Sequence, residues 1–129
     1  MMKENTRFYL CPVCGKVIGV IHDTGIPTIC CGKEMKLLEA NTSDGAVEKH
    51  VPIYKMAEQE GEIVVSVGSV EHPMDKEHYI MWVAEVSDNA TIRIQLYPEQ
   101  VATVKMKYMQ GATIYAYCNK HGLWASKVD

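Results

Sequence analysis

Residues 79–96 read YIMWVAEVSDNATIRIQL and contain two apolar segments on either side of the turn signal Asp88-Asn89. In residues 91–96 apolar and polar side chains alternate, which is the period-two pattern of a strand with one buried face. The segment before the turn has the same spacing, with apolar residues at Ile80, Trp82, Ala84 and Val86. The stretch therefore predicts two β-strands separated by a turn, and it shows no helical period.

The same pattern extends through the second half of the chain. Further strands are predicted at residues 63–67, 101–107 and 113–118, with turn signals at Glu60-Gly61 and Gln110-Gly111. No segment has a convincing apolar period of 3.6 residues. Roughly seven short strands in about 80 residues, with a turn every 8 to 12, are typical of an antiparallel sandwich. The predicted fold class is all-β.

Length and composition exclude several classes of protein. The chain has 129 residues, 47% of them hydrophobic, and no apolar run long enough to span a bilayer. Residues 1–10 lack the features of a signal peptide. The net charge of -3 without a cluster of Lys and Arg argues against a nucleic-acid partner. Five cysteines, two of them adjacent, fit a disulfide framework poorly, so we expect metal-bound thiolates in a reducing cytoplasm.

The chain is predicted to have two parts. Residues 1–38 carry four cysteines among short apolar pieces and are too few to bury a useful core, so a bound metal would have to supply much of their folding energy. Residues 39–49 are polar and predict a linker, marked by Asn41, Ser43, Asp44 and Gly45. Residues 50–129 then form the sandwich.

The first metal-ligand pattern is Cys11-x-x-Cys14-Gly15 followed by the adjacent pair Cys30-Cys31 and Gly32. Four thiolates make a closed tetrahedral site for zinc or iron. Adjacent cysteines start out pointing to opposite sides of an extended chain, so the backbone must bend there, and Gly32 would relieve part of the strain. The spacing leaves two alternatives open, a structural zinc site and a redox-active iron centre.

The second pattern combines four histidines with one cysteine at strand ends and in loops of the predicted sandwich, where a scaffold presents binding groups. Five ligands are one too many for structural zinc, and copper electron-transfer sites usually have two histidines and one cysteine. Five protein ligands on iron would leave a sixth position open, and a thiolate would push electron density onto the metal. The candidate ligands are His50, His72, His78, Cys118 and His121.

These residues and their surroundings resemble the desulfoferrodoxin family, the two-iron form of superoxide reductase. The resemblance covers nearly the whole chain. It is carried by both cysteine pairs, by residues 42–52, 68–74 and 78–80, and by Tyr117-Cys118-Asn119-Lys120-His121-Gly122. It implies a desulforedoxin-like amino-terminal domain and an immunoglobulin-like β-sandwich.

The resemblance also implies the cofactors and their ligands. Two irons per chain are expected, one bound by the four cysteines Cys11, Cys14, Cys30 and Cys31. The other is the catalytic iron, with His50, His72, His78 and His121 in a plane and Cys118 axial. His22 matches no ligand position, and we interpret it as a solvated loop residue.

The implied reaction is the one-electron reduction of superoxide to hydrogen peroxide, with a rubredoxin-like protein as electron donor and a homodimer as the assembly. Lys49 would attract the anionic substrate to a net-negative protein and order the water that delivers a proton. Glu48 resembles the family carboxylate that occupies the open position of ferric iron. Two rival functions are a non-catalytic iron electron-transfer protein and a zinc-binding interaction module.

Overall fold

The computed structural model describes residues 6–43 and 45–129, so Asp44 of the predicted linker lies outside the described residues. The amino-terminal part forms two small antiparallel sheets. Their strands are β1 (Arg7–Leu10), β2 (Val17–Val20), β3 (Ile29–Cys30), β4 (Lys33–Glu34) and β5 (Lys36–Leu37). β1 lies between β2 and β5, and β3 pairs with β4 as a separate hairpin. The two turns that close these hairpins carry the four cysteines.

Seven strands form the rest of the molecule. They are β6 (Pro52–Met56), β7 (Glu62–Val67), β8 (Ile80–Val86), β9 (Thr91–Gln95), β10 (Thr103–Lys107), β11 (Thr113–Cys118) and β12 (Gly122–Lys127). One sheet has the order β10-β7-β6 and the other the order β12-β11-β8-β9, with every pairing antiparallel. This three-plus-four arrangement is an immunoglobulin-like sandwich and confirms the predicted all-β fold class.

The five strands located from the sequence are present, with ends shifted by one or two residues. β6 and β12 had not been located. Pro52 opens β6, which is an edge strand, the position in a sheet where proline is tolerated. β12 contains Gly122 and has no β-branched residue, so its strand signal is weak in the sequence.

β8 differs from the expected one-sided strand because both of its faces are buried. Trp82, Ala84 and Val86 do not face the sandwich core but pack with Phe8 of the amino-terminal part. Ile80 and Val83 lie in the sandwich core. The register shift opposite Tyr117 and Cys118 accounts for the change of face along the strand. The sheet formed by β2, β1 and β5 therefore covers one outer face of the sandwich.

Burial of both faces has a consequence for Glu85. Its side chain is fully buried, its cross-strand neighbours are Ile114 and Ile92, and neither carboxyl oxygen has a hydrogen-bond partner in the described residues. Burial raises the pKa of Glu85 to about 7. Burial of this unpartnered carboxyl group lowers the stability of the fold, and the period-two pattern did not indicate it.

A short helix, α1 (Val47–His50), ends the segment predicted as a linker. Gly68 follows β7 with a φ of 80°, and a Cβ built there would lie 2.6 Å from the backbone oxygen of Glu48. Only glycine permits this close approach between the loop after β7 and α1. Among the described residues, no helix has the length and apolar character needed to cross a membrane.

Candidate metal centres

The four cysteines of the amino-terminal part meet at one point. Cys11 and Cys14 come from the turn between β1 and β2, Cys30 ends β3, and Cys31 begins the turn to β4. The four sulfurs lie within 4.8 Å of one another, with Cys14 Sγ 3.8 Å from Cys30 Sγ and Cys30 Sγ 4.0 Å from Cys31 Sγ. Sulfurs bound tetrahedrally at about 2.3 Å from an ion lie about 3.8 Å apart. The donors therefore fit a metal with four thiolate ligands.

The adjacent cysteines converge because the chain turns between them. Cys31 has a φ of 53° and Gly32 a φ of 73°, and they are the two central residues of the β3–β4 hairpin. Two positive φ values in a two-residue loop are the pattern of a type I′ turn. The expected bend is thus confirmed, although Cys31 itself takes the left-handed conformation and Gly32 completes the turn.

The knuckle between β1 and β2 directs backbone N–H groups at a sulfur. The amides of Val13 and Cys14 each donate to Cys11 Sγ at 3.4 Å, and Gly15 has a φ of 79°. The amide of Cys14 is the main reason that the pKa of Cys11 falls to about 6. Cys11 is buried while Cys14 and Cys31 are exposed. The turn therefore favours the thiolate form of Cys11, which lies on the buried side of the site.

The second centre collects five residues at one end of the sandwich. His50 ends α1, His72 and His78 lie in the loop between β7 and β8, Cys118 ends β11, and His121 lies in the turn before β12. Their ligand atoms all lie within 4.8 Å of one another. The structure therefore brings together every residue of the predicted second group.

The four imidazoles form a closed ring of neighbours. Ring centroids are 4.6 Å apart for His50 and His72, 4.8 Å for His72 and His78, 4.9 Å for His78 and His121, and 4.8 Å for His121 and His50. Each pair is edge-to-face, with interplanar angles between 74° and 82°. Four edge-on rings in a square leave their nitrogens pointing at a common centre.

The nitrogen positions are those of ligands and not of hydrogen-bond partners. The Nδ1 atoms of His50 and His72 face the carbonyl oxygens of Ala46 at 2.7 Å and Pro73 at 2.6 Å. A carbonyl only accepts, so in the neutral rings both protons are on Nδ1 and both Nε2 atoms carry lone pairs. Those two Nε2 atoms are nevertheless 3.0 Å apart, and His121 Nδ1 is 3.1 Å from His50 Nε2. The lone pairs of His50 and His72 face each other at this distance and would repel unless a shared cation lay between them.

The distances agree with that requirement. Nitrogens bound at right angles about 2.1 Å from an ion lie roughly 3.0 Å apart. Burial lowers the pKa of His50 and of His78, and it lowers that of His72 to about 4, so these three rings favour the neutral form that binds a metal. His78 Nε2 is buried without a hydrogen-bond partner in the described residues, so its nitrogen is available to a metal ion.

The thiol belongs to the same pocket. Cys118 is fully buried, and its Sγ lies 3.8 Å from His121 Nδ1. Burial raises the pKa of the Cys118 thiol, while the backbone amides of Lys120 and His121 donate to the sulfur and oppose that rise. Two donated hydrogen bonds of this kind stabilise a metal-bound thiolate.

The wall around His50 was not identified from the sequence. Trp124 stacks on the His50 ring with centroids 4.9 Å apart and donates from its indole N–H to the carbonyl of His121. A Cβ at Gly45 would lie 3.2 Å from Trp124 and 3.3 Å from His50. In the sequence, the only indication of this wall was that Trp124 lies three residues after the candidate ligand His121.

Of the remaining predicted site residues, Glu48 and Lys49 are exposed on α1 directly before His50. The charge of Lys49 lowers the pKa of His50 slightly and that of Glu48 raises it, so both lie within electrostatic reach of the pocket. Their catalytic roles stay predictions. His22 is exposed and belongs to neither ligand group.

Comparisons with known proteins cover both halves of the chain. The family model described as Desulfoferrodoxin matches residues 42–127, and the model for the desulfoferrodoxin amino-terminal domain matches residues 3–38. A desulfoferrodoxin homolog of Archaeoglobus fulgidus is 42% identical over 127 residues, covering 97% of this chain and 99% of its own. A desulfoferrodoxin of Syntrophotalea carbinolica is 39% identical, with 98% and 99% covered.

Solved structures with the same fold carry the name superoxide reductase. That of Treponema pallidum superimposes with a TM-score of 0.76 at 27% identity, covering 98% of this chain and all of its own. The one-iron superoxide reductase of Giardia intestinalis has a TM-score of 0.54 at 26% identity and covers 64% of this chain and 98% of its own. The part of this chain that matches the Giardia intestinalis protein corresponds in length to the sandwich.

Proposed function

The chain belongs to the desulfoferrodoxin family, and from this membership and the five-donor pocket we propose that it is a superoxide reductase, which reduces superoxide by one electron to hydrogen peroxide. The observation that carries the proposal is the ring of four imidazoles whose ligand nitrogens lie within 4.8 Å of one another and of a buried thiol, two pairs of them at 3.0 and 3.1 Å. A donor set of nitrogen with one sulfur suits a redox-active iron better than a closed tetrahedral zinc.

The two ligand groups correspond to the two iron centres of the family. When bound in the histidine pocket, iron supplies the single electron that superoxide takes up. The protein's own contribution is to hold the rings. The carbonyls of Ala46 and Pro73 fix the tautomer and direction of His50 and His72, and the stacked Trp124 keeps water from one side of the His50 ring.

Superoxide is an anion, and this chain has a net charge of -3, so its arrival needs a local positive charge. We assign that role to Lys49, which is exposed beside His50. The same ammonium group would order the water that delivers one of the two protons of hydrogen peroxide. Glu48, the preceding residue, is proposed to approach the open position of the pocket after the reaction and to leave it on re-reduction.

The finer assignments are supported by the family. We propose a desulforedoxin-like domain at residues 1–38, a linker at 39–49 and the catalytic sandwich at 50–129, a division close to that of the two family models. A rubredoxin-like donor, a homodimer and a cytoplasmic setting are proposed with it. The five cysteines are free in the structure, as a reducing compartment would keep them.

Rapid mixing of the ferrous protein with superoxide tests the function. A reductase should oxidise the histidine-bound iron at near the diffusion limit and yield one hydrogen peroxide per superoxide. Protein oxidised beforehand, without a donor, is the control and should yield none beyond spontaneous dismutation. A rate no faster than that of the four-cysteine centre would identify an electron-transfer protein and contradict the proposal.

A further inference from the structure

Among the described residues, two of the four histidines lack the hydrogen bond from ring to carbonyl that holds the other two, and His78 is one of them. His50 and His72 are each fixed by a hydrogen bond from the ring to a carbonyl, whereas within the described residues His78 has no side-chain hydrogen bond. It is also only partly buried, next to the exposed residues Asp75, Lys76 and Glu77. A metal-binding histidine usually donates its outer N–H to a fixed partner, and this one needs another means of orientation.

The side-chain amide of Asn119 supplies it. Asn119 Nδ2 donates to the carbonyl oxygen of Glu77 at 2.9 Å, and Asn119 Oδ1 accepts from the amide of Tyr79, also at 2.9 Å. The backbone N–H of Asn119 donates to the carbonyl of Tyr79 at 3.3 Å. These bonds hold the peptide groups on both sides of His78.

The position of Asn119 in the chain shows why these bonds matter for the metal pocket. It lies between Cys118 and His121, so the amide joins the loop that carries His72 and His78 to the segment that carries the other two ligands. A primary amide has a donor and an acceptor on one planar group, and both are used here. Aspartate would keep the acceptor and lose the donor, and alanine would lose both.

We propose that Asn119 is a positioning residue that sets where the His78 ring lies in the metal pocket. The inference rests on the proposed function only in that it takes iron to be bound by the histidine group. Removal of a group that orients a metal ligand typically weakens metal binding by about tenfold to 100-fold. The effect should be confined to one of the two centres.

The experiment compares Asn119→Ala with Asn41→Ala in the full chain loaded with two irons. Asn41 is a matched control, because its amide makes the same pair of bonds, to the carbonyl of Ala125 at 3.1 Å and from the amide of Ala125 at 2.9 Å. With a φ of 63°, position 41 also strains an alanine, so the control is at least as disruptive. Iron release to a chelator is followed by the absorption of each ferric centre.

We expect Asn119→Ala to release the histidine-bound iron roughly tenfold to 100-fold faster than the wild type, at a rate between those of the wild type and His78→Ala. Release from the four-cysteine centre should be unchanged and serves as the internal reference. Asn119→Asp, which keeps the bond from Tyr79, should be intermediate. Circular dichroism checks that each variant is folded, and if Asn119→Ala fails to fold, Asn119→Asp carries the comparison.

Equal release rates for Asn119→Ala and Asn41→Ala would overturn the proposal, and so would equal acceleration at both centres. If Asn119→Ala is unfolded, a wild-type rate for Asn119→Asp would overturn it too. Since iron release is the readout, a protein that fails to reduce superoxide would contradict the proposed function and leave this inference standing.

Discussion

At the scale of single residues, the histidine pocket depends on charges and protons whose places the structure specifies. The ring nitrogens of His50 and His72 that face carbonyls carry the protons, and those that face each other do not. Next to His50, the charged groups Glu48 and Lys49 are exposed. Exposed charges act on an incoming anion through solvent and are therefore sensitive to salt.

Lys49→Ala should slow the reaction with superoxide. A unit charge about 6 Å away in water contributes ~0.7 kcal/mol, or about threefold in rate. The dependence of the second-order rate on ionic strength should also flatten. Lys105→Ala, an exposed lysine on β10, makes the same change in net charge away from the pocket and should have little effect. Identical rates for the two variants would exclude a steering role for Lys49.

Glu85→Gln should alter how stability depends on pH. Folding raises the pKa of Glu85 from the ordinary 4.5 to about 7, so between these values the folded state holds a proton that the unfolded state has lost. Wild-type stability therefore falls through this window as pH rises, and the penalty is complete above pH 7. The two pKa values correspond to a difference on the order of 3 kcal/mol.

The measurement is the free energy of unfolding of wild type and Glu85→Gln at pH 5 and pH 8. The difference between the two proteins isolates Glu85 from the titration of the metal ligands. The variant should gain relative to the wild type at pH 8. A difference that is the same at both pH values would show that the Glu85 carboxyl finds a partner when ionised.

The ligands were predictable from the sequence because metal sites use few residue types at restricted spacings. Asn119 was visible only as a turn residue, since its role depends on the loop that packs beside it. Glu85 occupies a polar position in the period-two pattern of β8, but it lies on the same face as Val83 and is therefore buried in the sandwich core, because the apolar face of Trp82 packs against the amino-terminal part instead. Tertiary contacts of this kind leave no local trace in one sequence.

At the scale of the elements, the placement of His50 depends on the packing of α1 against the loop after β7. The carbonyl of Glu48 accepts hydrogen bonds from the amide of Val70 at 2.8 Å and from the Ser69 hydroxyl at 3.4 Å. The amide of Gly68 donates to the carbonyl of Val51 at 3.0 Å. A helix of four residues has little stability of its own, so these contacts hold it.

Gly68→Ala should therefore disturb the histidine pocket. The added Cβ would lie 2.6 Å from backbone atoms of Glu48 and Lys49, so α1 must move. Gly61→Ala is the control, because Gly61 has a similar φ of 84° but no atom within 4 Å of its added Cβ. Both should lose about 1 kcal/mol through the strained φ. Only Gly68→Ala should also bind less iron at the histidine centre, and equal iron contents would contradict this account.

The presence of the strands was easier to predict than the residues that pack against them. Alternation located β8 and β9 from their own residues, although it did not show that both faces of β8 are buried. The type I′ turn at Cys31-Gly32 follows from the need to bring adjacent sulfurs to one ion, and only the bend, not the turn type, could be anticipated. α1 is too short for any helical period to appear.

At the scale of the whole molecule, the two parts share apolar contacts. Phe8 of β1 packs on Trp82 with ring centroids 4.8 Å apart and on Tyr115 at 5.4 Å. Phe8 is 6% exposed. The amino-terminal part thus draws stability from the sandwich as well as from its metal, which the expectation of a metal-dependent module had not included.

Phe8→Ala should cost about 3–5 kcal/mol, since it removes a buried aromatic ring between two layers. Chemical unfolding of the iron-loaded protein measures the change. Tyr97→Ala is the control, because Tyr97 is 60% exposed and its removal should change stability by less than about 0.5 kcal/mol. Similar values for the two variants would mean that the contact between the two parts contributes little.

The central claim is that one chain places four imidazoles and the Cys118 thiolate around a single reactive iron. Its most direct test is the visible spectrum of oxidised Cys118→Ser, recorded with iron counted, against that of the wild type. We predict loss of the thiolate-to-iron absorption of the histidine centre and of the reaction with superoxide, with the four-cysteine spectrum intact. Superimposable spectra from two proteins that each hold two irons would contradict the claim.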